Sequence, residues 1–492
     1  MAPSIDIRVA RSRPWRWILE FARQLEERGH RVSVQAVDGQ PGLPSALTLL
    51  FSLENTLFGR PEASRTDLLA PSDWPKDASR AEPDLVIDFS GAPSPAAPGT
   101  RTLVPVYDGT PSEDAIFAAL LDERAPGIAF RDVASGEIVA EGLVAIDDFS
   151  VLSRSADQAF SRVQTLGLMA AAGGPRRRLD GPALPASAGR SPLVFLAAQL
   201  IGKVANRLTR LASGRPHHWR IAFRPAAAGD RIWDRRALPD AAWTFVPDDG
   251  ARYFADPFPF ETHGRMHLFC EEYPYATMRG IISVIEIEAG RQVGPAVPII
   301  ETGYHLSYPF IFERDGTIWM VPETSGNNTI ELWRCTDFPR GWERHAILVD
   351  GVAATDATIL FGGERLFMFA SVRHAGSASH DALMVWSAPR LEGPWTAFSA
   401  DPVLVDARSS RPAGRMQVID GTAWRPAQDC SSAYGGALTL CRVDALDPEA
   451  GVFRQTTMAR IVPPTDRAWT GLHTLNEAGG LEFIDLCGRS RP

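Results

Sequence analysis

Apolar and polar positions follow two different rhythms along the 492 residues. Up to about residue 170, short apolar runs alternate with stretches of helical period. IDIRVA (5–10) predicts a strand, and PWRWILEFARQLEERG (14–29) predicts an amphipathic helix stopped by a glycine. RVSVQAV (31–37) predicts a second strand, PDLVIDFSG (83–91) a strand running into a glycine turn, and TLVPVYDG (102–109) another. A helix is expected near 112–123, then GIAFRDVASGEIVAEGLVAI (127–146) as a hairpin-like pair. Strands and helices in this alternation indicate an open α/β sheet.

From Ala255 the rhythm changes to a repeat: a polar residue, an apolar strand, a glycine turn, and a second apolar strand with a polar end. The copies are ADPFPFETHGRMHLFCEE (255–272), SYPFIFERDGTIWMVPET (307–324) and TDATILFGGERLFMFAS (355–371), with weaker ones at 413–429 and 471–487. Their leading polar residues are Asp256, Tyr308, Asp356, Arg415 and His473, separated by 52, 48, 59 and 58 residues. Each interval is long enough for a four-stranded blade. Segments such as IISVIEIEAG (281–290), TIELWRC (329–335) and LMVWSAP (383–389) would supply outer strands. Five units predict a C-terminal all-β five-bladed propeller, joined to the N-terminal α/β sheet in a multidomain chain.

Residues 171–190, rich in Gly, Pro, Ala and Arg, predict a linker. It leads into SPLVFLAAQLIGKVANRLTRL (191–211), where Leu193, Ala197, Leu200, Val204, Leu208 and Leu211 share one helical face opposite Lys203, Arg207 and Arg210. A basic amphipathic helix suits an anionic membrane surface, and equally a connector packed between domains. The predicted boundaries are 1–170 for the α/β domain, 171–218 for the linker with its helix, and 219–492 for the propeller.

Charge sharpens this division. The net charge is −9, which argues against a nucleic-acid partner, yet residues 151–224 hold twelve Lys/Arg against two Asp. Ten of thirteen tryptophans lie from Trp219 onward. The five cysteines, Cys270, Cys335, Cys430, Cys441 and Cys487, form no CxxC pair, so neither a disulfide framework nor a zinc site is expected. With no apolar signal core at the N-terminus and no apolar run of membrane length, a cytoplasmic location is expected.

In a propeller the innermost strands surround the axis, so equivalent residues converge at one mouth. The first ring would hold the five anchors. A second would hold the ends of the next strands: Glu271 or Glu272, Glu323, Ser371, Gln428 or Asp429, and Asp485. Carboxyls from different blades meeting in one pocket suit sugar chemistry, one moving a proton while another stabilises an oxocarbenium-like centre. Asp256, Glu323 and Asp356 are the expected catalytic groups. Glu271, Glu272, His305, Tyr308, Arg411, Arg415, Asp429 and His473 are the expected substrate-binding ones. The two arginines suit a phosphate or carboxylate, or ion pairs with acids such as Asp429. Tyr273 or Tyr275 is available for sugar stacking. His217 and His218 fit the basic linker better than a metal site. VDGQPGLP (37–44) and SGAPSP (90–95) lack nucleotide-binding spacing. No metal is expected.

ADPFPF resembles the first-blade Asp-Pro motif of arabinanase-, invertase- and mannoside-phosphorylase-type propellers, a resemblance that implies a catalytic role for Asp256. Arabinanase-type hydrolases carry an aspartate where this chain has Tyr308 and a glutamate where it has Asp356. YFADPFPF, HLSYPFIFERDGTIWMVPET, TDATILF and RPAGRMQV, within Trp219 to Cys487, resemble more closely the N-terminal domain of plant glucosamine inositolphosphorylceramide transferases and its bacterial relatives. Residues 4–170 resemble a methionyl-tRNA formyltransferase-type domain through PDLVIDFSG and ASGEIV (134–139). No Asn-x-His follows Gly91, and Ala134 stands where that family has its catalytic aspartate. A degenerate, non-formylating domain is therefore expected, with no folate and no other cofactor.

These readings imply glycosyl transfer in cell-surface glycan or glycolipid assembly, with a sugar or glycolipid as partner. The alternatives are a non-catalytic glycan-binding propeller, an arabinanase-type hydrolase, and a formyltransferase acting on an amino sugar.

Overall fold

The structure, a computed structural model, describes residues 3–59, 64–69, 83–93, 99–173, 179, 187–212, 217–288, 291–374, 376–464 and 469–488. The chain divides into two compact units, Met1–Val204 with His374–Ala378, and Ala205–Arg373 with Ser379–Pro492.

The first unit is an α/β sheet of β1 (Ser4–Ala10), β2 (Arg31–Val37), β3 (Leu85–Phe89), β4 (Arg101–Tyr107), β5 (Gly127–Asp132) and β6 (Ile138–Leu143). Its order is β2-β1-β3-β4-β5-β6. The first four strands run parallel and the last two add as an antiparallel hairpin. Helices α1 (Trp17–Glu27) and α3 (Asp114–Leu121) lie where the apolar stripe predicts them, while α2 (Ser45–Phe58) and α4 (Leu152–Ala172) are additional. In α4 nearly every position from Leu152 to Ala170 is buried, Arg154, Asp157 and Gln158 excepted, so polar residues such as Ser161, Arg162, Gln164 and Thr165 are enclosed with the apolar ones. Small residues allow this enclosure: a Cβ on Gly167 would press into the Phe21 and Phe130 rings.

Trp15, Trp17, Phe21, Phe89, Phe117, Phe130 and Phe160 interlock beside this sheet. Glu113 is buried with them, accepting from Trp15 Nε1 at 2.7 Å with Arg13 Nη1 at 3.8 Å. Burial outweighs these partners and raises its pKa from 4.5 to about 7. The unfolded carboxyl ionises first, so this contribution to stability is complete below about pH 4.5 and is lost as pH rises through 7. The loss is about 3 kcal/mol. Urea unfolding across this range is expected to show a falling stability that Glu113→Gln flattens; equal slopes in the two proteins would refute the assignment.

Most of the predicted linker, 174–178 and 180–186, lies outside the described residues, as do the side chains of Lys203, Arg207 and Arg210. A helix α5 (Pro192–Ala212) forms as predicted. Among its described side chains Phe195 and Leu196 are buried, whereas Leu193, Ala197 and Leu200 of the predicted apolar stripe are exposed; Val204, Leu208 and Leu211 of that stripe lie outside the described side chains. Among the described residues no helix is long and apolar enough to cross a membrane.

The second unit is the five-bladed propeller. Blade 1 comprises Arg252–Thr262, Arg265–Pro274, Ile281–Glu288 and Arg291–Ile300, and blade 2 comprises Ser307–Arg314, Thr317–Glu323, Thr329–Asp337 and Gly341–Asp350. Blade 3 comprises Ala354–Phe361, Leu366–Val372, Ala382–Ala388 and Thr396–Ala397, with Leu404–Val405 as an extra edge. Blade 4 comprises Gln417–Ile419, Thr422–Asp429, Ala437–Asp447 and Val452–Ile461. Blade 5 begins with Gly471–Ala478 and Leu481–Gly488 and is completed by His218–Pro225 and Thr244–Phe245 from before blade 1. The register Gly488↔His218 through Leu481↔Pro225 joins the two ends of the unit and closes the ring. His218, expected in the linker, is thus the first residue of a blade strand, bound to Tyr275 Oη at 2.8 Å.

Candidate active site

In blades 1, 2, 3 and 5 the innermost strand slips register at one equivalent point: Ala255/Phe258, Ser307/Phe310, Thr355/Thr358 and Leu472/Leu475. These are bulges, which bend a strand and redirect a side chain. Asp256, Tyr308 and Asp356 occupy the left-handed region there, with φ of 51°, 46° and 57°. Such a backbone costs a non-glycine residue about 1–2 kcal/mol, and strain of this kind gathers at functional sites. The bulged amides are capped around the ring. Asp256 N–H donates to Asp485 Oδ2 at 2.9 Å, and Tyr308 N–H donates to Asp256 Oδ2 at 3.1 Å.

Blade 4 departs from this plan. Its register shifts by two residues between the Pro412–Ala427 bridge and the Gln417–Trp424 pair. Gly414, at φ 127°, lies in the slip, where any Cβ would strike the Leu475 carbonyl. Arg415 is carried past the ring: its amide donates to Asn476 Oδ1 at 2.8 Å and its guanidinium lies 5.5 Å over the Phe310 ring. Burial lowers its pKa to about 10. The arginine that meets the carboxyls is Arg411. Its Nε and Nη2 hold Asp356 at 2.6 and 3.2 Å, and Nη2 reaches Glu323 Oε2 at 3.5 Å. Gln428 Nε2 donates to Asp356 Oδ2 at 2.8 Å, which leaves Asp356 enclosed, 1% exposed.

Two further expected contacts point elsewhere because side chains alternate along a strand. Beside Gln428, Asp429 turns away to Arg460 Nε at 2.6 Å. Beside Glu271, Glu272 turns to Arg252 and to Ser283 Oγ. Tyr308 is also reassigned. Its hydroxyl lies 2.7 Å from Thr358 Oγ1 and accepts from Gly414 N–H at 2.6 Å, while its ring packs edge-on against Phe258 at 4.7 Å. It bridges blades 1, 3 and 4 and is fully buried, so it ties the blades together rather than touching a substrate.

His473 and Asp256 form a second cluster. His473 Nδ1 lies 2.7 Å from Asp485 Oδ2 and Nε2 lies 3.8 Å from Asp256 Oδ1, which also accepts from Thr474 Oγ1 at 2.9 Å. The Trp219 indole stacks flat on the imidazole at 3.8 Å. Burial opposes charge on His473, but Asp485 and Asp256 outweigh it and raise its pKa. One atom from each of Asp256, His473 and Asp485 falls within 4.8 Å of the others, a spacing that can hold a cation. The Asp485 oxygens already accept from His473 and from the amides of Asp256, His473 and Thr474, and Thr474 Oγ1 links the imidazole side to Asp256.

The carboxyls respond differently to this crowding. Burial, reinforced by Asp256 and Glu323, pushes Glu271 well above the usual carboxylate range. Burial also raises Asp356 well above that range despite Arg411, and it raises Asp256. Glu323 moves down: burial opposes the shift, but Arg411, a hydrogen bond from Asp356 and neighbours including Ser325 prevail. His305, as expected, adjoins the cluster. Gly280 N–H donates to its Nδ1 at 2.9 Å, leaving Nε2 3.4 Å from Glu271 Oε1.

Trp219, His380 and Tyr434 were not anticipated. Arg411 Nη1 lies 2.9 Å from His380 Nδ1, and its guanidinium lies 5.0 Å over the Tyr434 ring. Tyr434, 45% exposed, also meets His473 edge-on at 5.5 Å. Its only sequence signal is the SSAYGG turn, where a Cβ on Gly435 would collide with His473 and Trp219. Tyr273 stacks on Tyr253 at 4.8 Å and Tyr275 binds His218, so the exposed ring beside the carboxyls is that of Tyr434.

Fold and site together define a five-bladed propeller with a carboxyl-lined centre. Residues 245–474 match the family model described as glucosamine inositolphosphorylceramide transferase 1, N-terminal. The rice (Oryza sativa subsp. japonica) protein named glucosamine inositolphosphorylceramide transferase 1 is 30% identical over 212 residues, covering 42% of this chain and 28% of the relative. Its Arabidopsis thaliana counterpart is 28% identical over 204 residues, covering 40% and 26%. The chain therefore spans little more than a quarter of these relatives. Among solved structures, the catalytic domain of an α-L-arabinofuranosidase from Coprinopsis cinerea aligns with a TM-score of 0.34 and 14% identity, covering 48% of this chain and 90% of that one. An α-L-arabinanase from Cellvibrio cellulosa aligns at 0.30 and 17%, covering 43% and 78%.

Proposed function

We propose that the propeller transfers a sugar in the assembly of a glycolipid, ceramide-based like the molecule in the relatives' name. The observation that carries this reading is a buried cluster of carboxyls from three blades, Asp256 and Glu271, Glu323, and Asp356, gathered with Arg411 and His473. Within it Glu271 is pushed up and Glu323 down. Such divergence sorts a proton donor from an ionised partner at one pH. Glu271 is the acid that protonates the leaving oxygen, and Glu323 stabilises positive charge at the anomeric carbon. Asp256, backed by His473 and Asp485, takes the proton of the acceptor hydroxyl; its raised pKa makes it the stronger base. Asp356, first expected among the catalytic groups, instead holds Arg411 and Glu323 in place. Tyr434 offers its exposed ring to a sugar face.

The test is an assay of the full chain against nucleotide sugars and ceramide-linked acceptors. Asp256→Asn is expected to lower kcat/KM by roughly 10²- to 10⁴-fold with the circular dichroism unchanged. Glycan binding that survives both Asp256→Asn and Glu271→Gln, without turnover of any donor by the parent, would favour a binding module. The enclosure of Asp356 is the observation on that side. For the first unit we propose a formyltransferase-like but non-formylating role, supported by the parallel order β2-β1-β3-β4 and the missing Asn-x-His. Formylation of an amino sugar by the full chain would refute it.

A further inference from the structure

Away from the mouth residues, the propeller has a half-open cleft of about 620 Å³ between blades 4 and 5. That volume lies within the roughly 300–1,000 Å³ of small-molecule sites. Trp243, Phe245, Trp469, Val462 and Leu486 dominate its walls, and Asp240 and Arg460 are the charged side chains that line it. Phe245 and Trp469 stack nearly parallel, centroids 5.6 Å apart. Arg224 lies 5.5 Å over Trp243 and is itself tied to Glu482 at 2.7 Å, which anchors that indole.

We infer that this cleft seats the hydrocarbon chain of a glycolipid whose sugar lies at the propeller mouth, an inference that rests on the transfer reading above. The walls argue for a chain rather than a sugar. A sugar needs several converging polar groups, whereas Arg460 here is already engaged by Asp429 at 2.6 Å. Cleft and mouth share structural elements. Leu486 follows Asp485 on the same strand, and Asp429 follows Gln428, which holds Asp356. Asp429 Oδ1 further accepts from the Ser431 amide and hydroxyl, at the start of the turn that presents Tyr434. A molecule with a polar head at the mouth and an apolar tail would follow these shared elements to the cleft.

The experiment measures binding of methyl, hexyl, octyl and decyl glucosides to the full chain, as monomers, by tryptophan fluorescence. Affinity is expected to rise roughly fourfold per methylene buried. Val462→Asp, at a position 46% exposed and so tolerant of change, is expected to abolish that rise, as is Trp469→Ala. Glu271→Gln is expected to keep it, because the chain seat does not depend on proton transfer. Affinity indifferent to chain length, or a rise unaltered by Val462→Asp, would overturn the inference. A rise that Val462→Asp removes, in a protein with no sugar transfer, would uphold the cleft while refuting the transfer reading.

Discussion

Glu271→Gln is expected to reduce sugar transfer by roughly 10²- to 10⁴-fold while leaving the fold and substrate binding intact. Glutamine keeps the shape and removes the proton. The side chain sits buried among Asp256, Glu323, Asp485 and Asp356, whose fields oppose its ionisation. In the parent, activity is therefore expected to hold through neutral pH and to fall on the alkaline side, where Glu271 loses its proton. The variant's residual rate is expected to lack that alkaline limb. Steady-state kinetics against pH separate this role from a structural one, since a distorted site would raise KM across the whole range.

The largest loss of stability is expected from Arg411→Met. Methionine fills part of the space but leaves the ionised Glu323 without its cation, and Asp356 without its guanidinium donor, in a buried setting. Breaking a buried ion pair from one side costs about 3–5 kcal/mol, measurable by urea unfolding of the propeller. Adding Asp356→Asn is expected to recover part of the loss, because the groups are in direct contact at 2.6 Å. The pH dependence follows from Glu323, whose pKa is lowered in the folded protein. The stability it gains from Arg411 is present above the unfolded pKa and is lost as pH falls through the folded one. The gap between parent and variant is thus expected to narrow in acid.

The blade repeat was legible because its signal is doubled: alternation within each strand, and recurrence of the polar leader with its glycine turn. The same recurrence placed Asp256, Asp356 and His473 at the centre. It failed in blade 4, where a slip of two residues lets Gly414 take the anchor's place and carries Arg415 over Phe310. Spacing counts residues and does not register a bulge. It failed again between Glu271 and Glu272 and between Gln428 and Asp429, where one step along a strand reverses the side chain. Helix α4 was missed although Arg154, Asp157, Gln158, Ser161 and Thr165 recur at helical spacing, because alanine and serine at many of its positions dilute the apolar stripe. Trp219 was hidden for another reason: it precedes blade 1 yet stacks on His473 of blade 5, a contact made only when the ring closes.

The protonation of Glu271 tests the central claim most directly and needs no substrate. Infrared spectra of protein labelled at glutamate carboxyls, recorded for the parent and for Glu271→Gln at neutral pH, isolate this group from the other buried glutamates. A protonated-carboxyl band that disappears in the variant is the result expected from a proton donor beside the ionised Glu323. Equal protonated bands in the two proteins, with a carboxylate band lost instead, would show Glu271 ionised and contradict the account.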